Sequence, residues 1–310
     1  MSEISDKRKI KHIYSKIGQA VNKYGLISDG DRIMVGVSGG KDSMSLLATL
    51  ATRRRFGKEK YDLVAVHIDV ENVPYEADTA FIADYCSKND VEFVHEKINV
   101  DFEKDPNKSK CFLCSWHRRK RLFELTGEHN CNKLALGHHL DDAVETLLIN
   151  MCYHNSISSM PAKLQMFDGR VELIRPLILL TNSEIRQFAN LMGFPTERAK
   201  CPFEDKTKRR QAGDIIADIE KRFPDARHNI FKSMQKIFVE YLPVEDDVNP
   251  IVSGLNVKNS EGKGTNQISR NQKLETRNFS LIQYYKFLEL FYCCSSRISD
   301  FNLVYIYAFS

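Results

Sequence analysis

The chain lacks any run of about 18 apolar residues, so no segment is expected to span a membrane. Met1–Lys11 is polar and charged, which excludes a secretory signal there, and no internal repeat is present. Tryptophan is nearly missing, at 1 residue in 310, and the net charge is a mild +4. Cysteine is not scarce. The 8 cysteines in a chain without an export signal point to a reducing cytoplasm and against disulfides. A hydrophobic share of 42% and a charged share of 28% are ordinary for a soluble globular protein, and the length allows a full core in one or two domains.

What charge there is comes in clusters. "HRRKR" (117–121) and "KTKRR" (206–210) are dense cationic runs, each most simply a solvated face, while "RRR" (53–55) closes a helix and complements its dipole. Residues 8–24 carry a helical apolar period. Strand-like runs recur at 32–37, 63–70, 91–98, 133–139 and 171–177, with helical patterns at 43–55, 77–89, 115–128 and 140–153 between them. Further helices are expected at 181–192, 211–222 and 226–240. This alternation predicts an α/β fold, a parallel sheet with helices on both faces. The expected organisation is an N-terminal helical segment (1–30), a main α/β domain (31–243) and a tail (244–310). Within the tail, 259–278 is polar and aperiodic and is expected to be disordered, and the aromatic last 32 residues carry no readable chemistry.

The stretch "RIMVGVSGGKDSMSLLATL" (32–50) passes from a β-branched strand through a glycine turn into a helix. Such a turn offers unpaired N–H groups and the positive end of a helix dipole to an anion, and Lys41 adds a full charge. It is not a Walker loop, because Val35 stands where a glycine is required and Asp42 follows the lysine instead of Ser or Thr. The dinucleotide fingerprint fails on glycine spacing.

Two further constellations carry chemistry. In "CFLCSWHRRKR", Cys111 and Cys114 have C-x-x-C spacing just ahead of the expected 115–128 helix. A redox pair is disfavoured, since no thioredoxin-like pattern accompanies it. The residues alone leave two readings open: a zinc clip with His117 and a distant cysteine, or a four-iron cluster held by Cys111, Cys114 and Cys201, with one iron left open. Cys86, Cys131 and Cys152 read as small buried apolar residues, and the single tryptophan, Trp116, as a core residue. In "LALGHHLDDAVETLLINM" (134–151), Gly137, His138, His139, Asp141, Asp142 and Glu145 crowd the end of a strand, where open α/β sheets bind ligands.

"SGGKDS" resembles the pyrophosphatase loop (PP-loop) of enzymes that cleave ATP between the α- and β-phosphates. With "CFLCSWHRRKRLFE", "KLALGHHLDDAVETLLINMCY", "SMPAKL", "IRPLILLTNSEIRQFA" and the Cys201 segment ahead of "RRQ", the chain over 8–240 resembles the tRNA 2-thiocytidine synthetases. The resemblance implies an adenine nucleotide α-hydrolase-like fold, ATP, Mg2+, a [4Fe-4S] cluster and an anticodon-loop cytidine (position 32) whose O2 is adenylated and replaced by sulfur. Carried over, Ser38, Gly39, Gly40, Lys41, Asp42 and Ser43 form the ATP loop, joined by Gly137, His138 and Asp142. Cys111, Cys114 and Cys201 become the cluster ligands and, with Lys41 and Asp42, the catalytic set. The expected partners are the tRNA anticodon stem-loop, a sulfur donor of the cysteine desulfurase kind and a second copy in a homodimer, in the cytoplasm. One departure stands out: family members often carry a second cysteine three residues after the Cys201 position, and here Glu204 stands there. The alternatives are a lysidine synthetase-like ligase or a zinc-stapled RNA-binding protein. Beside the cysteines, both basic runs become candidates for tRNA phosphate contacts.

Overall fold

In the computed structural model, residues 2–73, 77–195, 208–238 and 241–243 are described. Cys201, Glu204 and the tail beyond Pro243 lie outside them. Six strands form one sheet: β1 (Arg32–Gly36), β2 (Asp62–Val70), β3 (Glu92–Ile98), β4 (Lys133–Ala135), β5 (Lys163–Met166) and β6 (Val171–Ile174). Their order is β3-β2-β1-β4-β6-β5. The pairs β1–β2, β2–β3, β1–β4 and β4–β6 are parallel, as the apolar runs predict, and β5 adds an antiparallel edge. That edge strand is absent from the sequence-based expectation. It is only four residues long, and the turn that follows it holds Phe167, Asp168 and Gly169 in the left-handed region (φ 52°, 57° and 83°), an Asp-Gly hairpin signal that the sequence reading did not use.

Eight helices are described: α1 (Ser2–Tyr24), α2 (Lys41–Phe56), α3 (Thr79–Lys88), α4 (Lys110–Glu128), α5 (Leu140–His154), α6 (Asn182–Met192), α7 (Lys208–Arg222) and α8 (Ala226–Ser233). α8 ends at Ser233, short of the expected 240; Met234 still packs on the core, and residues 235–238 are exposed. β1, β2 and β4 are buried on both faces, and successive side chains of β1 feed two cores. Ile33 and Val35 pack with Leu46, Leu47 and Leu50 of α2 and with Ile17 of α1, whereas Met34 packs on the other face with Val64, Leu134 and Leu125 of α4. α1 is thus part of the same core as the sheet.

The chain runs β1 to β2 to β3 in one direction and then returns to place β4 on the other side of β1. The carboxyl ends of β1 and β4 therefore flank the point where the winding reverses, the usual position of a ligand crevice in an open α/β sheet.

Candidate functional site

The turn after β1 is built to leave donors free. Gly39 has φ +79°, a conformation that costs glycine nothing. A Cβ there would also meet the Ala77 Cβ at 3.1 Å. Gly40 is the N-cap of α2 and supplies no side-chain cap, so the N–H groups of Lys41, Asp42 and Ser43 have no partner within the helix. Ser43 instead braces the turn: its Oγ accepts from the Ser38 N–H at 3.1 Å and donates to the Gly40 carbonyl at 3.0 Å. Lys41 Nζ donates to Asp42 Oδ1 at 2.6 Å. The arrangement is a cradle for an anion with one cation already at its rim.

The turn after β4 leans directly on this cradle. A Cβ on Gly137 would lie 3.1 Å from the Asp42 carbonyl carbon and 3.2 Å from the Ser43 nitrogen, so the approach requires glycine. His139 begins α5, and its Nε2 lies 3.8 Å from Asp42 Oδ1. Asp142 Oδ2 accepts the His139 N–H at 2.8 Å. Burial opposes ionisation of Asp142, but His139, Arg209 and His138 together with that N–H hold its carboxyl below the usual range.

The acids of "HHLDDAVE" divide by role. Asp141 accepts the Asn182 N–H at 2.9 Å and pairs with Arg227, tying α5 to the start of α6 and to α8. It is an architectural residue. Glu145 lies 3.4 Å from Arg209 Nε, and burial, with Arg209 opposing it, pushes its carboxyl up to about 7. Arg209 also lies 3.5 Å from Asp142. This arginine of the second basic run thus faces carboxylates of the site.

Arg175, directly after β6, is fully buried and donates from Nε to His138 Nδ1 at 3.3 Å and from Nη1 to the Pro161 carbonyl at 2.6 Å. Sequence reasoning gave it no role, although a lone arginine within the apolar run "ELIRPLILL" was a signal. A second unread group lies at the ends of β2 and β3. His67 contacts the Val37 carbonyl through Nδ1 (2.7 Å) and Asp69 through Nε2 (2.8 Å), and Asp69 also contacts His95 Nε2 (2.6 Å). Burial raises the Asp69 carboxyl, but the two histidine contacts outweigh it and leave it lowered. The group anchors the backbone one residue ahead of the glycine turn 38–43.

The cysteine pair lies inside a helix, not ahead of one. Ser109 caps α4, its Oγ accepting the Phe112 N–H at 3.2 Å, so Cys111 and Cys114 occupy the first turns. They are three apart and therefore on one face, near the positive end of the dipole, which favours thiolates. Cys111 is exposed, and Cys114 packs against Val70, Val73 and Val100 at the carboxyl ends of β2 and β3. The pair is thus at the same end of the sheet as the phosphate turn. Among the described residues no group of three His, Cys, Asp or Glu is set to hold a metal, which leaves the pair to be completed from elsewhere. The donor set, two thiols of one helical face at a cationic helix start, fits a thiolate-bound metal or cluster. Cys201 lies outside the described residues.

Other expectations are corrected. Cys152 is exposed rather than buried, while Cys86 and Cys131 are buried, and burial pushes both of these thiols up to about 11. Trp116 is only partly buried and lies beside His117 and under Lys120, so it is not a core residue. Arg121 is held by Glu96 and Glu128, and Arg119 folds back onto Ser115. Arg54 and Arg55 do not merely end α2: they donate to the carbonyls of Lys88, Asn89 and Asp90 at the end of α3.

Comparison with known proteins follows the same geometry. Residues 4–199 match the PP-loop domain. The tRNA-cytidine(32) 2-sulfurtransferase of Pelobacter propionicus is 35% identical over 249 residues, covering 78% of this chain and 90% of the relative. The enzyme of the same name from Geobacter sulfurreducens is 36% identical over 248 residues, covering 77% of this chain and 95% of the relative. Among solved structures, the U34-tRNA thiolase NcsA from Methanococcus maripaludis, determined with its [4Fe-4S] cluster, superposes with a TM-score of 0.63 at 20% identity, over 76% of this chain and 80% of that one. At that identity the likeness speaks to the fold.

Proposed function

The chain belongs to the tRNA-cytidine(32) 2-sulfurtransferase family of PP-loop proteins, and from that premise we propose that it thiolates the anticodon-loop cytidine 32 of tRNA at the expense of ATP. The observation that carries the reading is the junction of two turns: the donor-rich cradle 38–43 and the Gly137 turn pressed against its backbone, at the reversal point of the sheet.

The chemistry follows from the charges. A cytosine C2 carbonyl is a poor electrophile. Attack of its O2 on the α-phosphorus of ATP forms an O–P bond and expels pyrophosphate, and sulfur then adds at C2 as AMP leaves. Negative charge grows on pyrophosphate in the first step. The N–H groups of Lys41, Asp42 and Ser43 and the Lys41 ammonium would stabilise that charge, and such fixed donors need no reorganisation. Asp42, half-exposed at the rim, would face the water shell of Mg2+, which neutralises the phosphates when bound. Cys111 and Cys114, with Cys201, would hold a [4Fe-4S] cluster, which supplies the sulfur-handling chemistry when bound. Glu204 leaves this set at three thiolates.

Among the described residues of the two basic runs, Lys120, Lys208 and Arg210 are exposed and would meet tRNA phosphates, whereas Arg119, Arg121 and Arg209 turn inward. A cysteine desulfurase as sulfur source, a homodimer and a cytoplasmic setting complete the proposal. No described helix is long and apolar enough to cross a membrane. The test is nucleoside analysis of tRNA from cells with and without this gene. Loss of 2-thiocytidine on deletion, restored by the wild-type gene and not by a Cys111→Ala gene, is the expected result; unchanged 2-thiocytidine refutes it.

A further inference from the structure

Arg175 is the largest fully buried side chain of the structure and follows β6 at the same end of the sheet as both turns of the site. A guanidinium has no lone pair to offer, so each of its contacts is a donation. One goes to the Pro161 carbonyl and holds the loop that leads into β5. The other, from Nε, goes to His138 Nδ1 at 3.3 Å. A neutral imidazole has one donor and one acceptor nitrogen, and a nitrogen that receives an N–H must be the acceptor.

We infer that Arg175 is a positioning residue that fixes His138 as the neutral tautomer with its proton on Nε2, so that the residue beside Gly137 offers the nucleotide site a permanent N–H donor. The inference rests on the placement of His138 at the ATP site. Among the described residues, the charged or titratable groups that act on His138 are Arg175 after β6, Asp142 and His139 at the start of α5, and Arg209 on α7. Burial, then the Arg175 cation, disfavour an imidazolium, and Asp142 only partly offsets them, so His138 is pushed down to about 3. His138 transfers no proton in this role. It donates a hydrogen bond, and no bond to it forms or breaks. A neutral donor can bind a phosphate oxygen with equal strength across physiological pH, whereas an ordinary histidine beside ATP would titrate with the medium.

The test is long-range 1H–15N NMR of the full chain labelled with 15N-histidine, with His138 assigned from an H138Q spectrum. ATP-dependent pyrophosphate release is followed in parallel. In the wild type, Nδ1 of His138 should be unprotonated, Nε2 protonated, and neither should titrate between pH 5 and 8. Arg175→Gln removes the cation and offers His138 Nδ1 an acceptor as well as a donor, so the proton should redistribute between the two ring nitrogens, while burial still holds the ring below the ordinary histidine range. Pyrophosphate release should fall with Arg175→Gln in the wild-type background but not further in an H138Q background, where no tautomer is left to fix. A buried strut without this role would, on substitution, lower the melting temperature and leave the His138 nitrogens unchanged, which overturns the inference. So does a wild-type His138 that titrates near neutrality or carries its proton on Nδ1, a result obtainable even if no Arg175 variant folds. Failure of tRNA thiolation with the His138 spectrum as expected would instead count against the functional assignment alone.

Discussion

Lys41 is a cation at the rim of the donor-rich cradle, at 2.6 Å from Asp42, and only 13% of its side chain is exposed. Replacing it with alanine removes a charge-assisted contact that strengthens as pyrophosphate departs. By analogy with loss of one preorganised donor, Lys41→Ala should cost about 2–4 kcal/mol of transition-state stabilisation. The check is kcat/KM for tRNA-dependent pyrophosphate release; an unchanged value removes Lys41 from the mechanism. The residues of the cradle were legible because they are contiguous: a strand, two glycines and a helix start are local chemistry. Arg175 and Arg209 were not legible as site residues, since their direction depends on packing of segments far apart in the chain. A sequence shows that an arginine is present but not whether it faces water or Asp142. The same limit applied to Cys152 and Trp116, whose exposure is set by which helix face is covered.

The start of α6 shows how a single element is fastened. Thr181 Oγ1 accepts the Glu184 N–H at 3.3 Å, and Glu184 returns the contact by accepting the Thr181 N–H at 2.8 Å. Glu184 also accepts from Lys16 at 2.9 Å and lies 2.8 Å from His12, so the cap joins α6 to α1. Burial raises the Glu184 carboxyl, but the Thr181 N–H and then the Lys16 and His12 contacts outweigh it and bring it down to about 2. A carboxyl lowered on folding stabilises above its unfolded value of 4.5, and that contribution is lost as pH falls toward about 2. Glu184→Gln should therefore flatten the acid limb of unfolding free energy between pH 4.5 and 2, with a loss of about 1–3 kcal/mol at neutral pH. Urea titrations across that range check it; an acid limb identical to the wild type contradicts it. The Thr181 cap was readable, because Thr-x-x-Glu is a local signature. The start of α4 was not read: Ser109 caps it inside the polar "DPNKSK", ahead of any apolar period, so the expected helix began at 115 and left the cysteines outside.

At the scale of the whole molecule, the sheet puts two groups at one end: a donor-rich cradle after β1 and β4, and a cysteine pair on α4 against the ends of β2 and β3. An enzyme that activates a base and then adds sulfur needs both within reach of one nucleotide. The parallel pairing was legible from the alternation of strand-like and helical runs, whereas the antiparallel β5 was hidden by its length, its Asp168-Gly169 turn being a signal left unread. All proposed catalytic residues precede residue 244, and we expect a chain ending at Pro243 to fold and bind ATP as the full chain does. Calorimetric ATP titration of the two checks this, and loss of soluble protein on truncation would show that the tail packs on the core. The central claim is tested most directly by anaerobically purified protein, analysed for iron and sulfide, supplied with ATP, Mg2+, a sulfide source and unmodified tRNA. The account predicts about four irons per chain and ATP-dependent formation of 2-thiocytidine at position 32, lost in Cys111→Ala, Cys114→Ala and Cys201→Ala while ATP binding persists. Iron-free protein that thiolates at the full rate, or iron-loaded protein that releases pyrophosphate with no sulfur entering tRNA, would contradict it.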